Sequence, residues 1–167
     1  YCVHLQQVIR TGVTDGSTGA PDVAAAKKAA EKPLAGMKIV VDAGNGSGGF
    51  FAEKVLAPLG ADISGSQFLE PDGMFPNHAP NPENREAMES ISSQVIKTGA
   101  DLGLIFDTDV DRSSAVDEQG REIARNSIVA MAAALVSEDH PGTTVVTDSI
   151  TSRQLTEFLE NRLGLNH

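Results

Sequence analysis

Apolar and polar positions change period several times along the chain, and each change marks a predicted element. The opening YCVHLQQVIR places Val3 or Leu5, Val8 and Ile9 roughly on one helical face, which predicts the end of a helix. Turn residues dominate from Thr11 to Ala20, and the Ala/Lys-rich PDVAAAKKAAEKP that follows reads as a short exposed helix or a flexible linker. Met37 to Val41 is an apolar run of strand length that ends at Asp42 and a glycine-rich turn. FFAEKVLAPLG then sets Phe51, Val55 and Leu59 at helical spacing, with Gly60 as the stop. ADISGSQF predicts a second strand, followed by the long proline-rich loop LEPDGMFPNHAPNP. ENREAMESISSQVIKTG is an amphipathic helix with Met88, Ile91 and Val95 inward and Gly99 as terminator. DLGLIF is another buried strand, and it delivers Asp107 at its carboxyl end. SSAVDEQGREI reads as a short hairpin around Glu118, Gln119 and Gly120, and SIVAMAAALVSE as an apolar helix that covers the sheet.

Strand and helix therefore alternate, which predicts a layered α/β/α domain. Its sheet would be mixed but mostly parallel, with helices on both faces and one hairpin strand at an edge. Near its end the chain starts the same order again: strand, Asp, small polar turn, helix, Gly. Asp42 corresponds to Asp148 and Gly60 to Gly164. Two ordinary βα units account for this, and so does a repeat in which a second, similar domain opens near residue 143. On the repeat reading, residues 1–33 are the end of a preceding helix and a linker, 34–142 the principal domain, and 143–167 the beginning of the next.

Composition narrows the function more than the fold. A length of 167 residues, 40% hydrophobic and 22% charged, is enough for one ordinary globular domain and a piece of another. The net charge of −10 argues against a general partner in nucleic acid or an anionic membrane. Anionic substrates stay open, because a metal ion or local arginines reverse the field at one site. The single cysteine, Cys2, allows no internal disulfide framework and no Cys-rich zinc site, and it fits a reducing compartment. No apolar run approaches the roughly 20 residues that span a bilayer. The chain opens at Tyr1 without a signal-like segment, so it is expected to be a fragment of a longer, non-secreted protein.

The chemistry concentrates in FDTDVDR. Asp107, Asp109 and Asp111 follow the apolar strand directly, where open α/β sheets build their ligand sites. Like charges this close repel, and a hard divalent cation such as Mg²⁺ relieves them, because carboxylate oxygens suit it. The plainer reading is a solvated acidic turn with Arg112 as a local ion pair. An EF-hand loop shares the spacing through Glu118, but Arg112 stands where that loop needs glycine, and the flanks read as strands. A haloacid-dehalogenase-type phosphotransferase would use Asp107 as nucleophile and Asp109 as acid/base; Asp111 and the α/β segment that precedes the motif both speak against it.

Two further features carry weaker signals. In DAGNGSGG, Gly44, Gly46 and Gly49 fit the G-x-G-x-x-G spacing, but no Walker lysine is present. Asp62 opens the next predicted strand instead of ending it, so a tight structural turn is favoured over a nucleotide site. His78, in FPNHAPNPEN, has no second histidine or cysteine at ligand spacing. It is expected to pack the loop or support a site, although a histidine on such a loop can also reach an active-site mouth.

Taken in order, PLAGMKIVVDAGNGSGG, DGMFPNHAPNPEN and ADLGLIFDTDVDRSSAVDEQGREI resemble the second domain of the α-D-phosphohexomutases, the phosphoglucomutase/phosphomannomutase superfamily. VVTDSITSRQL resembles the opening of that superfamily's third domain. The resemblance implies four domains around a cleft, the first three similar α/β units. It implies reversible transfer of phosphate between the 1- and 6-positions of a hexose phosphate, through a phosphoserine and a bisphosphorylated sugar. Asp107, Asp109 and Asp111 would then hold Mg²⁺ together with the serine phosphate, and Arg112 would contact phosphate or substrate. The family's phosphoserine loop, of Thr/Ala-Ser-His-Asn-Pro type, does not occur here, and the sugar- and phosphate-binding loops would lie in other domains. The family's metal loop reads Asp-Gly-Asp-x-Asp-Arg, whereas this chain has Thr108 at the glycine. If the loop needs positive φ there, Thr108 strains it.

Overall fold

In the structure, a computed structural model, residues 1–15, 31–148 and 151–167 are described, with backbone alone for 13–15. The chain divides into two units, Tyr1–Glu122 and Ile123–His167. The first holds α1 (Cys2–Asp15), β1 (Ile39–Asp42), a helical stretch over 47–59, α2 (Arg85–Thr98), β2 (Leu102–Phe106) and β3 (Ser113–Asp117). The second holds α3 (Arg125–Asp139) and α4 (Arg153–Asn161).

The sheet of the first unit is small and mixed. β1 and β2 run parallel with Ile39 opposite Leu102, and β2 and β3 run antiparallel with Phe106 opposite Ser113. Alternation along each strand sorts its side chains between two cores. Ile39, Val41 and Phe106 face the core shared with Val55, Leu56 and Leu59 of the helical stretch and with Cys2, Leu5 and Ile9 of α1. Val40, Ile105 and Val116 face the opposite core, closed by Ala87, Ile91 and Val95 of α2. Gly103 permits this second contact, because a Cβ there would stand 2.6 Å from the Val95 side chain. Helices on two faces of a sheet make this an α/β/α domain, as the alternation predicts.

Several elements form for the reasons the sequence offers. Asn84 caps α2 by accepting from the N–H groups of Glu86 and Ala87, and Gly99 ends it in the left-handed conformation. Phe51, Val55 and Leu59 lie on the inward side of the stretch before Gly60, although its turns are π-helical and then 3₁₀. The hairpin around Gly120 is also present: the Gly120 N–H donates to the Asp117 carbonyl, and Gly120 has φ of 75°.

Other expectations need correction. The inward face of α1 is Cys2, Leu5 and Ile9, while Val3 and Val8 are exposed, and the helix continues through the predicted turn region as far as Asp15. Most of PDVAAAKKAAEKP lies outside the described residues. ADISGSQF is not a strand. It is bridged at Asp62 to Lys38, just before β1, and at Gln67 to Asp42 of β1, and Ser64 and Gly65 turn between the two bridges. The Ser66 hydroxyl, 3.0 Å from the Val41 nitrogen, accepts in place of the missing ladder bond. Among the described residues of the first unit, parallel pairing is thus confined to β1–β2 and these bridges.

In the second unit, Ala133 of α3 packs with Leu155 and Leu159 of α4 and with Leu165. The apolar run SIVAMAAALVSE forms α3, and within the first unit the two sheet cores are closed by α1, the 47–59 stretch and α2. Residues 145–148 are not a strand; a single bridge joins Thr144 to Asn166 nearby. No helix among the described residues is long and apolar enough to cross a membrane.

Candidate metal centre

The Asp-x-Asp-x-Asp stretch is the reversal between β2 and β3. Phe106 and Ser113 pair as the last rungs of the ladder, and the Asp107 N–H donates to the Arg112 carbonyl at 3.1 Å to close the turn. Six residues, 107–112, fill the connection. Val110 reverses the chain with φ of 67°. A β-branched residue in that conformation is held at a cost of about 1–3 kcal/mol. Val110 offsets part of this by packing against the core on the Val41 face. The result gathers one carboxylate oxygen each from Asp107, Asp109 and Asp111 within 4.8 Å of one another. Asp107 is buried, while Asp109 and Asp111 are exposed.

Arg112 occupies both oxygens of Asp107. Its backbone N–H donates to Oδ1 and its Nε–H to Oδ2, each at 3.0 Å. The guanidinium also lies 3.5 Å from Asp111 and donates to Asn81 Oδ1 at 3.4 Å. Burial pushes the Asp107 carboxyl up, but the Arg112 amide, Asp111 and the Arg112 guanidinium outweigh it, so the group sits below its ordinary value. Asp111 is pushed the other way, first by its hydrogen bond with Asp107 and then by the charges of Asp109 and Asp107. Arg112 is held more firmly in its charged form, chiefly by its bond to Asp107.

Three oxygen donors with unrelieved repulsion fit a hard divalent cation, and they offer no nitrogen or sulfur to a softer one. One arginine supplies only part of the charge that three carboxylates require.

The glycine-rich turn supports this site from behind. Ser47 donates to the Thr108 carbonyl from its N–H at 2.9 Å and from its hydroxyl at 3.0 Å. A Cβ at Gly46 would stand 2.9 Å from that same oxygen, and one at Gly49 would overlap the Leu69 carbonyl at 1.8 Å. The N–H groups of Gly44, Asn45, Gly46 and Ser47 all donate within the protein. Close packing therefore accounts for these glycines. Thr108 does not take positive φ, so the strain expected there falls on Val110.

The tertiary structure brings together Asp107, Asp109, Asp111 and Arg112 as the sequence spacing suggests. It adds Asn81 and Ser47, which sequence reasoning did not single out; only their place in Asn/Pro- and Gly-rich loops hinted at a role. His78 is buried against Asp42.

Fold and site together define an α/β/α domain that carries a cluster of three aspartates at the carboxyl end of its central strand. The sequence profile of the phosphoglucomutase/phosphomannomutase alpha/beta/alpha domain II matches residues 19–120. The chain belongs to that family, the α-D-phosphohexomutases, and corresponds to its second domain. It is 37% identical over 128 residues to a phosphomannomutase/phosphoglucomutase of Pseudomonas syringae, covering 77% of this chain and 27% of that protein. It is 38% identical over 119 residues to a phosphomannomutase of Salmonella montevideo, covering 69% and 26%. The crystal structure of a phosphoglucomutase/phosphomannomutase family protein from Burkholderia thailandensis superposes with a TM-score of 0.73 at 32% identity. That match covers 78% of this chain and 28% of the other. The chain thus spans about a quarter of the length of the relatives it matches. Family membership takes the place of the haloacid-dehalogenase reading.

Proposed function

We propose that this chain is the metal-binding domain of a phosphohexomutase that moves a phosphoryl group between the 1- and 6-positions of a hexose phosphate. The observation that carries this reading is the gathering of Asp107, Asp109 and Asp111 oxygens within 4.8 Å in a family-matched hairpin turn. Asp107, Asp109 and Asp111 would hold Mg²⁺, which supplies charge stabilisation for a transferring phosphoryl group when bound. Asp107 gives a pre-oriented oxygen, because burial and Arg112 fix its rotamer. Asp109 and Asp111, exposed on the turn, would supply the other two oxygens. Arg112, half-exposed and already cationic, presents its remaining N–H groups to a phosphate oxygen, a role its planar fork suits.

The phosphoserine and the loops that select the sugar belong to other domains of the same chain in this reading, so the 167 residues alone turn over no substrate. Asp109→Asn in the full-length protein should lower the rate and its Mg²⁺ dependence together. An unchanged rate and Mg²⁺ dependence would instead favour a non-catalytic module, and turnover by the isolated chain would overturn the division of labour proposed.

A further inference from the structure

Asp42 ends β1 with a carboxylate that is fully buried, and it lies at the meeting point of four segments. Oδ1 accepts from the Gly44 N–H at 2.9 Å. Oδ2 accepts from Gln67 Nε2 at 2.7 Å and from the Ser90 hydroxyl at 3.2 Å. His78 Nε2 lies 3.0 Å from both oxygens, its Nδ1 lies 3.0 Å from the Ala79 carbonyl, and Phe68 packs edge-on to its ring at 5.4 Å. A buried carboxylate that takes donors from a glycine turn, a bridge segment, a loop and a helix fixes the relation of all four.

Two arms run from this hub to the aspartate turn. Along the first, Gly44 is seated on Asp42 so closely to the loop that a Cβ would stand 2.9 Å from Pro80 and 3.0 Å from the His78 ring. Ser47, farther along that turn, holds the Thr108 carbonyl with two hydrogen bonds. Along the second arm, His78 leads to Asn81, whose Oδ1 accepts from the Glu83 N–H at 3.0 Å and from Arg112 Nη1 at 3.4 Å. Arg112 in turn holds both oxygens of Asp107.

We infer that His78 is a positioning residue: its buried bond to Asp42 clamps the Pro/Asn-rich loop against the glycine-rich turn, and through Asn81 and Ser47 this clamp sets the aspartate turn. Its effect on cation affinity rests on the metal reading proposed above; its hold on the turn does not.

Amide hydrogen exchange and Mn²⁺ titration of the 167-residue chain, compared for wild type, His78→Ala and His78→Gln, test this. The Ser47 and Arg112 amides donate to the Thr108 carbonyl and to Asp107, so they report the turn directly. His78→Ala should speed exchange at Ser47 and Arg112 by about tenfold, while core amides such as Ile105 and Val95 keep their rates. Mn²⁺ affinity should fall by about tenfold, the usual effect of removing a residue that orients a metal ligand. His78→Gln, whose amide can still donate to Asp42, should recover most of both. Exchange that is unchanged at Ser47 and Arg112, or that rises only in step with Ile105 and Val95, would overturn the proposal. If His78→Ala does not fold, Asp42→Asn and His78→Gln carry the same comparison. Should the wild-type chain bind no Mn²⁺, the metal reading fails for the 167 residues alone, and the exchange pattern still decides the positioning role.

Discussion

At the scale of single residues, the aspartate turn separates two positions that the sequence alone confuses. Thr108 departs from the family's glycine, yet its backbone is ordinary and its side chain is exposed, and the left-handed residue is Val110. Thr108→Gly is therefore expected to leave Mn²⁺ affinity within about threefold, less than 1 kcal/mol. It should lower stability by about 0.5–1 kcal/mol through added chain freedom. Titration calorimetry and thermal melts check this, and a large gain in affinity would mean that Thr108 obstructs the site. Asp111 gives a second prediction. Its carboxyl is raised above the ordinary 3.8 by Asp107 and Asp109, so the folded state holds that proton more tightly than the unfolded chain. In metal-free protein the gain is present at low pH and is lost as pH rises through the raised value. Denaturant melts of wild type and Asp111→Asn across that window should show the gain only in wild type.

At the scale of elements, the hairpin after β3 behaves in the opposite sense. Asp117 Oδ1 accepts from the N–H groups of Gln119 and Arg121, and Oδ2 accepts from the Arg121 guanidinium at 2.8 Å. The Arg121 side chain, then its backbone N–H, hold the Asp117 carboxyl below 3.8. A depressed carboxyl stabilises the fold above its ordinary value, and that contribution disappears as pH falls through the lower, folded value. Amide exchange at Gln119 and Arg121 should quicken across that interval, and Asp117→Asn should remove the dependence. The same scale explains why some elements were legible and others were not. α2 carries its own cap, its apolar stripe of Ala87, Ile91 and Val95, and its glycine stop, so local sequence determines it. ADISGSQF has strand-like composition, but whether it pairs depends on where Ser66 and Gln67 meet β1, and that is a tertiary matter.

At the scale of the whole molecule, the acidic turn leaves repulsion in the metal-free protein that an added cation should relieve. Mg²⁺ or Mn²⁺ at a hundred times its dissociation constant is expected to stabilise the chain by about 2.7 kcal/mol. Asp109→Asn should lose that gain in a thermal melt, and an equal gain in the variant would place the cation elsewhere. Two units divide the chain at 122/123, close to the end of the family match at residue 120. The first unit contains every residue of the candidate centre.

The α/β/α layering, the strands that became β1 and β2, the capped helix α2 and the three aspartates after a buried strand were legible in the sequence, and the ordered motifs around them pointed to the family. These features are local: an apolar period, a cap or a run of carboxylates is written within a few adjacent residues. Three-dimensional packing was needed to show that Arg112 holds Asp107, that Val110 bears the backbone strain, and that Asp42 and His78 meet inside the protein. The bond between Asp42 and His78 joins residues 36 positions apart and that between Ser47 and Thr108 residues 61 apart, and no local pattern carries their geometry. The first forms because a buried carboxylate must find donors wherever the packed sheet and its loops bring them.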